Sequence, residues 1–153
     1  MRVVFPKKYI NEIKSVCEDT KVPHSLVLAI IKAESSFDND KVSNKGAVGL
    51  MQIMPETANY VANLFFAGEE VNLFDTKQNI LTGVTYLVYL FKKFGNEKTV
   101  LAAYNAGEGR VYDWLKNTKY SIDGKTLLSI PFEETATYVK RVLSYQKFYQ
   151  VLY

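Results

Sequence analysis

Cysteine and histidine are almost absent from this chain of 153 residues, which contains one of each, Cys17 and His24. A single cysteine excludes an intramolecular disulfide. One cysteine with one histidine also excludes a zinc cluster built from these two residue types. We therefore interpret Cys17 as a small apolar residue of the first helix and His24 as a structural residue that precedes the second helix.

Long apolar segments and clusters of positive charge are missing as well. The longest purely apolar run, LVLAII, is far too short to span a bilayer, and the first ten residues contain no apolar core of a signal peptide. Lysine and arginine never form a run longer than a pair, and the formal net charge is only +3. This balance argues against a nucleic-acid partner, although an anionic polymer would fit as a substrate. Either the protein is made soluble in the cytosol, or the chain begins after a signal or anchor has been removed.

Helical periodicity is present along nearly the whole chain, and no stretch alternates long enough to predict a strand. The length suits one domain, and no repeat or linker divides the sequence, so we expect a single compact all-α domain over residues 1–153. The predicted helices cover roughly residues 7–19, 24–37, 55–66, 75–94, 97–106, 109–117 and 131–152. Asp75 is the predicted N-cap of the longest clear helix and Gly95 its terminator. In the ambiguous region 117–130, Asp123-Gly124 could make a turn or a small hairpin.

One carboxylate interrupts the apolar face of the second predicted helix. Residues three and four apart share a face, and this face reads Leu26, Val27, Ile30, Ile31, Glu34 and Phe37. A carboxyl group on such a surface escapes the cost of burial by a raised pKa, and a protonated acid can donate to a leaving-group oxygen. The helix by itself leaves a second interpretation open, in which Glu34 swings from the last turn to solvent or to a backbone N–H.

Three further segments bear on this choice, and with the first they form a set of four in a fixed order. The set comprises ESSF at residues 34–37, SNKGAVGLMQIMPETA at 43–58, AAYNAGEGRV at 102–111 and IPFEETATYVKRV at 130–142. Together these segments resemble the four sequence blocks of the lytic transglycosylase (SLT) family, whose fold is similar to that of goose-type lysozyme. The resemblance spans about residues 20–145. It implies a lysozyme-like helical domain with a groove for glycan strands.

The resemblance also implies which residues form the site. Glu34 matches the catalytic glutamate of the family, which acts first as general acid and then as general base. The implied substrate-binding residues are Ser43, Gln52, Met54, Tyr104, Asn105, Glu134 and Tyr138. Arg110 and Arg141 could meet acidic groups of a ligand, but a solvated or ion-paired role is the simpler expectation.

The chemistry of the matched residue types agrees with these roles. The Ser43 hydroxyl can bond the substrate or orient the acid, the Gln52 amide can bond sugar hydroxyls or N-acetyl groups, and the Met54 thioether can pack on a sugar ring. The phenol of Tyr104 can bond the acid and hold its rotamer. Each residue also has a purely structural alternative, as a loop residue or as a core aromatic whose hydroxyl is satisfied. Independently of any family, Glu134 and Tyr138 are four residues apart on a predicted helix and so point to one groove.

Ordinary glycosidases use two carboxylates, and residue spacing alone does not exclude a second one here. The candidates are Asp38, Asp40, Glu56, Asp75, Glu108 and Glu134. The resemblance implies a single catalytic acid/base instead. In that scheme the N-acetyl group of the substrate stabilises the cationic centre, and Glu34 as base deprotonates the C6 hydroxyl of the same sugar, which closes a 1,6-anhydro ring. No water is consumed, and we expect no metal and no other cofactor.

The function implied by the resemblance is that of a peptidoglycan lytic transglycosylase. It would cleave the β-1,4 bond between N-acetylmuramic acid and N-acetylglucosamine and leave 1,6-anhydro-N-acetylmuramic acid ends. Since peptidoglycan lies outside the membrane, we expect an exported protein in the cell envelope, a membrane association only through an anchor upstream of residue 1, and a monomer. The alternatives are a hydrolytic lysozyme on the same fold and a non-catalytic wall-binding or scaffold domain.

Overall fold

Seven α-helices form the regular structure of residues 4–153, the part of the chain that the computed structural model describes. The helices are α1 (Ile10–Cys17), α2 (His24–Ser35), α3 (Pro55–Phe65), α4 (Thr76–Phe94), α5 (Glu97–Ala106), α6 (Glu108–Leu115) and α7 (Glu133–Leu152). Within residues 4–153 there is no strand, and only isolated bridges join Val48 to Val42 and to Ile53. The predicted all-α class is confirmed.

Local signals in the sequence explain where several helices begin and end. Pro55 occupies the first turn of α3, where its missing N–H has no intrahelical partner. The Asp75 carboxylate accepts a hydrogen bond from the Gln78 backbone N–H at 2.9 Å and caps α4. Gly95 ends α4 with a φ of 74°, which a glycine adopts without steric cost. The predicted N-cap and terminator of this helix are therefore both present.

Several predicted helix boundaries differ from the structure by two or three residues. The first helix begins at Ile10 rather than near residue 7, and the last begins at Glu133 rather than at Pro131. Helix α2 ends at Ser35, because Ser36 and Phe37 take left-handed φ values of 50° and 68°. That turn returns the Phe37 side chain to the core, where it is 7% exposed. The ambiguous segment 117–130 contains no hairpin strands, and its Asp123-Gly124 pair lies in an irregular turn.

Helix α2 is the centre of the core. Its residues Leu26–Ile31 are fully buried, and α2 packs mainly along α7 while also contacting α1. Each Leu or Ile side chain buried in this way stabilises the fold by roughly 2 kcal/mol relative to exposure. Because the C-terminal end of α2 carries Glu34, the packing of α2 against α7 sets that residue beside the first turns of α7.

The two longest helices, α4 and α7, contact other helices of the domain. Among residues 4–153, no helix combines the length and the apolar character needed to cross a membrane.

Candidate active site

The segment that follows α2 wraps back over the end of that helix. The Ser35 hydroxyl, in the last turn of α2, donates to the Leu50 carbonyl at 2.7 Å. Within the segment, the Gly49 N–H donates to the Lys41 carbonyl at 2.8 Å, and the backbones of Val48 and Ile53 exchange two hydrogen bonds. We call residues 41–53 the site loop, and these bonds fix it beside Glu34.

A buried asparagine on α4 fastens the site loop from the opposite side. Asn79 is 1% exposed, and its Oδ1 accepts from the Met51 N–H at 3.0 Å. Its Nδ2 donates to the carbonyls of Val48 and Leu73, each at 2.9 Å. Asn79 was not among the predicted site residues. A polar side chain at a buried helical position, the same pattern that drew attention to Glu34, could have indicated it.

Two glycines allow the loop to approach α4 closely. A Cβ at Gly49, whose φ is 78°, would lie 2.6 Å from the Leu73 carbonyl oxygen and would also overlap the Asn79 amide. A Cβ at Gly83 of α4 would overlap the Met51 side chain. The backbone contact and the left-handed φ make glycine necessary at Gly49, whereas a side chain at Gly83 would first displace the Met51 thioether.

The carboxyl group of Glu34 sits at the inner end of the site. Burial penalises its charged form and raises its pKa from the ordinary 4.5 to about 7. Tyr138 on α7 and Lys41 in the site loop oppose this shift, since both stabilise the carboxylate. At neutral pH the group is therefore divided between the acid and the carboxylate, the condition that general acid and general base catalysis both require.

Two tyrosines flank this carboxyl group and differ in their hydrogen bonds. The Tyr104 hydroxyl donates to the Met51 carbonyl at 2.7 Å, so it holds the site loop, and the prediction that it bonds the acid is corrected. The Tyr138 hydroxyl lies close enough to Glu34 to lower its pKa, yet the pair falls short of hydrogen-bond geometry. No other group within residues 4–153 bonds this buried hydroxyl. Tyr138, rather than Tyr104, is placed to hold the rotamer of Glu34.

Glu34 opens into a cavity of about 510 Å³ between the site loop, α5 and α7. Six of the predicted site residues line it: Glu34, Ser43, Gln52, Asn105, Glu134 and Tyr138. Four further polar residues share it: Lys41, Glu133, Thr137 and Arg141. The structure places Tyr104 behind the site loop and Met54 just before α3, and neither lines this cavity.

Three of the lining residues use one polar function internally and keep another for a ligand. The Ser43 Oγ accepts from the Ala47 N–H at 3.0 Å, so its hydroxyl proton remains available. The Gln52 Nε2 donates to the carbonyls of Lys41 and Gly49, at 3.0 and 2.8 Å, which leaves the amide oxygen as an acceptor. The Asn105 Oδ1 accepts from the Thr135 hydroxyl at 2.8 Å, and its NH₂ group remains a donor.

The candidates for a second carboxylate are separated by their positions. Of these six candidates, only Glu134 lines the cavity that contains Glu34. The neighbouring Glu133, which was not a candidate, lines it as well. Asp75 caps α4, and Glu108 pairs with Lys93 at 2.9 Å. Asp38 and Asp40 are exposed in the turn after α2, and Glu56 is exposed in the first turn of α3. Within residues 4–153, no three Asp, Glu, Cys or His side chains cluster as metal ligands would.

Residues 12–127 match the family model described as the transglycosylase SLT domain. The chain belongs to this family. The match ends before α7, so the place of Glu134 and Tyr138 in the family depends on the longer alignments with individual relatives.

The alignments with individual relatives cover between two thirds and nearly all of this chain. The chain is 40% identical over 151 residues to the soluble lytic murein transglycosylase of Escherichia coli K12. This alignment covers 95% of this chain and 23% of the relative. The chain is 37% identical over 116 residues to the membrane-bound lytic murein transglycosylase C of Edwardsiella ictaluri. This alignment covers 68% of this chain and 32% of the relative. The chain thus spans about a quarter to a third of the length of the curated relatives it matches.

Solved structures confirm the predicted fold. The 70-kDa soluble lytic transglycosylase of Escherichia coli superposes with a TM-score of 0.84 at 37% identity, over 96% of this chain and 25% of that one. An inactive glutamate-to-glutamine mutant of the lytic transglycosylase Slt from Pseudomonas aeruginosa gives the same TM-score at 36% identity, over 98% and 25% of the two chains. The resemblance inferred from the four sequence blocks is confirmed.

Proposed function

We propose that this SLT domain is a peptidoglycan lytic transglycosylase with Glu34 as its only catalytic acid and base. It cleaves the β-1,4 bond between N-acetylmuramic acid and N-acetylglucosamine without water and leaves 1,6-anhydro-N-acetylmuramic acid ends. The observation that carries the proposal is the Glu34 carboxyl group, whose pKa burial raises to about 7 where it opens into the cavity.

The raised pKa suits both halves of the proposed reaction. In the first half, the protonated Glu34 donates to the glycosidic oxygen as the bond from that oxygen to C1 breaks, and the N-acetyl group of the muramyl residue supports the positive charge at C1. In the second half, the Glu34 carboxylate takes the proton of the C6 hydroxyl, and O6 bonds to C1. A group that titrates near neutral pH can give and regain one proton at little cost, which an exposed carboxyl with its ordinary pKa cannot do.

The residues around Glu34 have matching roles in the proposal. Tyr138 positions the carboxylate, and the available groups of Ser43, Gln52 and Asn105 bond sugar hydroxyls or N-acetyl groups. Glu134 accepts hydrogen bonds from the glycan at the α7 wall of the cavity. Met54, placed outside the cavity lining, would meet the glycan only where the strand extends beyond this cavity.

The names of the relatives support the substrate and the place of action. They are called murein transglycosylases, and one inactive relative carries glutamine in place of a single glutamate. We propose accordingly that the glycan strands of peptidoglycan are the partner of this domain and that it works in the cell envelope.

Product analysis of purified sacculi tests this function. The wild-type chain should release muropeptides that end in 1,6-anhydro-N-acetylmuramic acid, each lighter by one water than the hydrolysis product. We expect Glu34→Gln to lower the rate by at least about 10³-fold, because the proton transfer to the leaving oxygen is lost. The matched control is Glu56→Gln, which removes an exposed carboxylate of α3 that does not line the cavity and should leave the rate unchanged. Reducing ends in place of anhydro ends would show a hydrolytic lysozyme, and undiminished lysis by Glu34→Gln would refute Glu34 as the acid.

A further inference from the structure

The cavity that contains Glu34 also holds two cations: Lys41, which the sequence did not single out, and Arg141, for which a solvated or ion-paired role was the simpler expectation. Lys41 enters from the site loop and Arg141 from α7, and both line the cavity. The carboxylates of Glu133 and Glu134 line it as well, in the first turn of α7. A neutral sugar hydroxyl does not need a full charge for its recognition, so the presence of two cations requires another explanation.

Neither cation forms a close ion pair with the protein, although the Lys41 ammonium also favours the charged form of Glu34. Among residues 4–153 the sole ion pair joins Lys93 to Glu108, and neither of these residues lines the cavity. Lys41 is nevertheless held in place, because its Nζ donates to the Glu34 backbone carbonyl at 2.6 Å. This bond uses one of the three ammonium protons and leaves two for a ligand.

The spacing along α7 separates Arg141 from the acidic residues. Glu134, Thr137 and Arg141 lie three and four residues apart, so they share the face that lines the cavity. Seven residues from Glu134 to Arg141 correspond to about 10 Å along the helix axis. That distance is similar to the Debye length at 0.1 M salt, so screening weakens the repulsion between Glu134 and an anion at Arg141 without removing it.

We infer that Lys41 and Arg141 form an anion subsite of the groove, which binds a carboxylate carried by the muramyl residue of the substrate. This inference rests on the proposed function, since it concerns the same groove. The carboxylate has two possible sources: the lactyl group of a muramyl residue without a peptide, or the stem peptide attached to that lactyl group. A planar guanidinium can bind a carboxylate through two parallel N–H donors, and the fixed ammonium adds a third donor.

Binding measurements with defined ligands test the subsite. In the Glu34→Gln background, which prevents turnover, dissociation constants are measured by calorimetry for three glycan oligosaccharides of equal length. The first lacks stems and has free lactyl carboxylates, the second carries L-alanyl-D-glutamyl stems with free carboxylates, and the third carries the same stems with every carboxylate amidated. We expect the first or the second to bind about 5- to 10-fold more tightly than the third, as a charge-assisted bond in a partly open site allows. The tighter of the two identifies the source of the carboxylate.

Two substitutions and a control locate the effect. Arg141→Gln should abolish the preference for a carboxylate, and Lys41→Met should abolish or strongly reduce it. Lys140→Gln removes the same charge from the neighbouring position of α7, which is exposed and does not line the cavity, and should keep the preference. Equal affinity for all three ligands, or a preference that survives both Arg141→Gln and Lys41→Met, would overturn the inference. If the wild type made no anhydro products from sacculi, the proposed function would fail, while these affinity ratios would still decide the subsite.

Discussion

The pKa of Glu34 is set by two opposing effects of its surroundings. Burial at the end of α2 disfavours its charge, whereas the Tyr138 hydroxyl and the Lys41 ammonium favour it, and the outcome is a pKa of about 7. Without the two favourable groups the pKa would be higher still, and less of the group would be available as a base at neutral pH. Without burial it would remain ionised and could not act as an acid.

The raised pKa of Glu34 predicts how its substitution changes stability with pH. The folded state holds this proton more tightly than the unfolded state, so the contribution of Glu34 to the free energy of unfolding falls as pH rises from 4.5 to about 7. Glu34→Gln removes that loss. We expect the variant to be more stable than the wild type by on the order of 2 kcal/mol at pH 8, and by much less at pH 4.5.

Denaturant unfolding of both proteins at pH 4.5, 6 and 8 measures this difference. The control is Glu133→Gln, whose exposed carboxylate lines the same cavity and should give a small difference at every pH. A stability difference for Glu34→Gln that stays constant over the three pH values would contradict the raised pKa.

The two tyrosines beside Glu34 show what residue type alone cannot specify. Both hydroxyls lie near the carboxyl group, and burial first and the negative charge of Glu34 second raise the pKa of each. Only the fold decides that Tyr104 donates to the Met51 carbonyl, while the Tyr138 hydroxyl has no such partner and lowers the pKa of Glu34. The sequence predicted that Tyr104 bonds the acid, because residue type does not show which group a buried phenol will contact.

At the scale of elements, the site loop depends on three helices. Ser35 of α2 and Tyr104 of α5 bind the carbonyls of Leu50 and Met51, and Asn79 of α4 binds three further backbone groups. A loop of this length without regular structure is held only if its buried backbone groups find such partners. Ser43 and Gln52 line the cavity because the loop that carries them is fastened in this way.

Asn79→Ala is expected to loosen the site loop. The substitution leaves the Met51 N–H and the carbonyls of Val48 and Leu73 without these partners in a buried place, at a cost of about 2–4 kcal/mol. The rate on sacculi should fall about 10-fold or more at a temperature where the variant is folded, because Ser43 and Gln52 lose their positions. Amide hydrogen exchange of residues 48–53 measures the loosening directly.

The control for Asn79→Ala is Thr85→Ala on the same helix. The Thr85 hydroxyl donates to the Leu81 carbonyl within α4 and does not reach the loop. Its loss should change stability by less than about 0.5 kcal/mol and leave exchange in the loop unaltered. Unaltered exchange in Asn79→Ala would show that the other two helices are sufficient to hold the loop.

At the scale of the whole molecule, the first and last described segments are joined. Phe5 is 7% exposed and packs its ring against Tyr145, Phe148 and Tyr149, with centroid distances of 5.5, 4.8 and 5.6 Å. The Tyr149 hydroxyl donates to the Pro6 carbonyl at 2.9 Å. Because α7 also forms one wall of the cavity, this contact stabilises the helix on which the site depends.

Phe5→Ala should lower global stability without changing the reaction. Removal of a buried ring costs about 3 kcal/mol, which corresponds to a fall in Tm of about 6–12 °C for a domain of this size. Calorimetry measures the change, and Val4→Ala, at a position that is 56% exposed, is the control. At 25 °C the anhydro products should be the same as those of the wild type. A loss of activity in folded Phe5→Ala would mean that this contact shapes the site as well as stabilising it.

The amino-acid sequence by itself determined the elements of this protein. Helical periodicity, the proline of α3 and the cap and terminator of α4 specify helices through interactions within a few residues, so they can be read without the fold. The polar interruption at Glu34 was visible for the same reason. The four sequence blocks then predicted the family and six of the residues that line the cavity.

Only the tertiary structure decided which groups surround Glu34. Asn79 reaches the site loop across 28 residues of sequence, Tyr104 across 53, and the turn after α2 brings Lys41 back to the Glu34 carbonyl. Such contacts depend on the distance between helices and on the direction of each side chain, neither of which the periodicity of a single helix contains. The pKa of Glu34 is likewise a property of the assembled fold, because burial and the two opposing groups come from three separate segments of the chain.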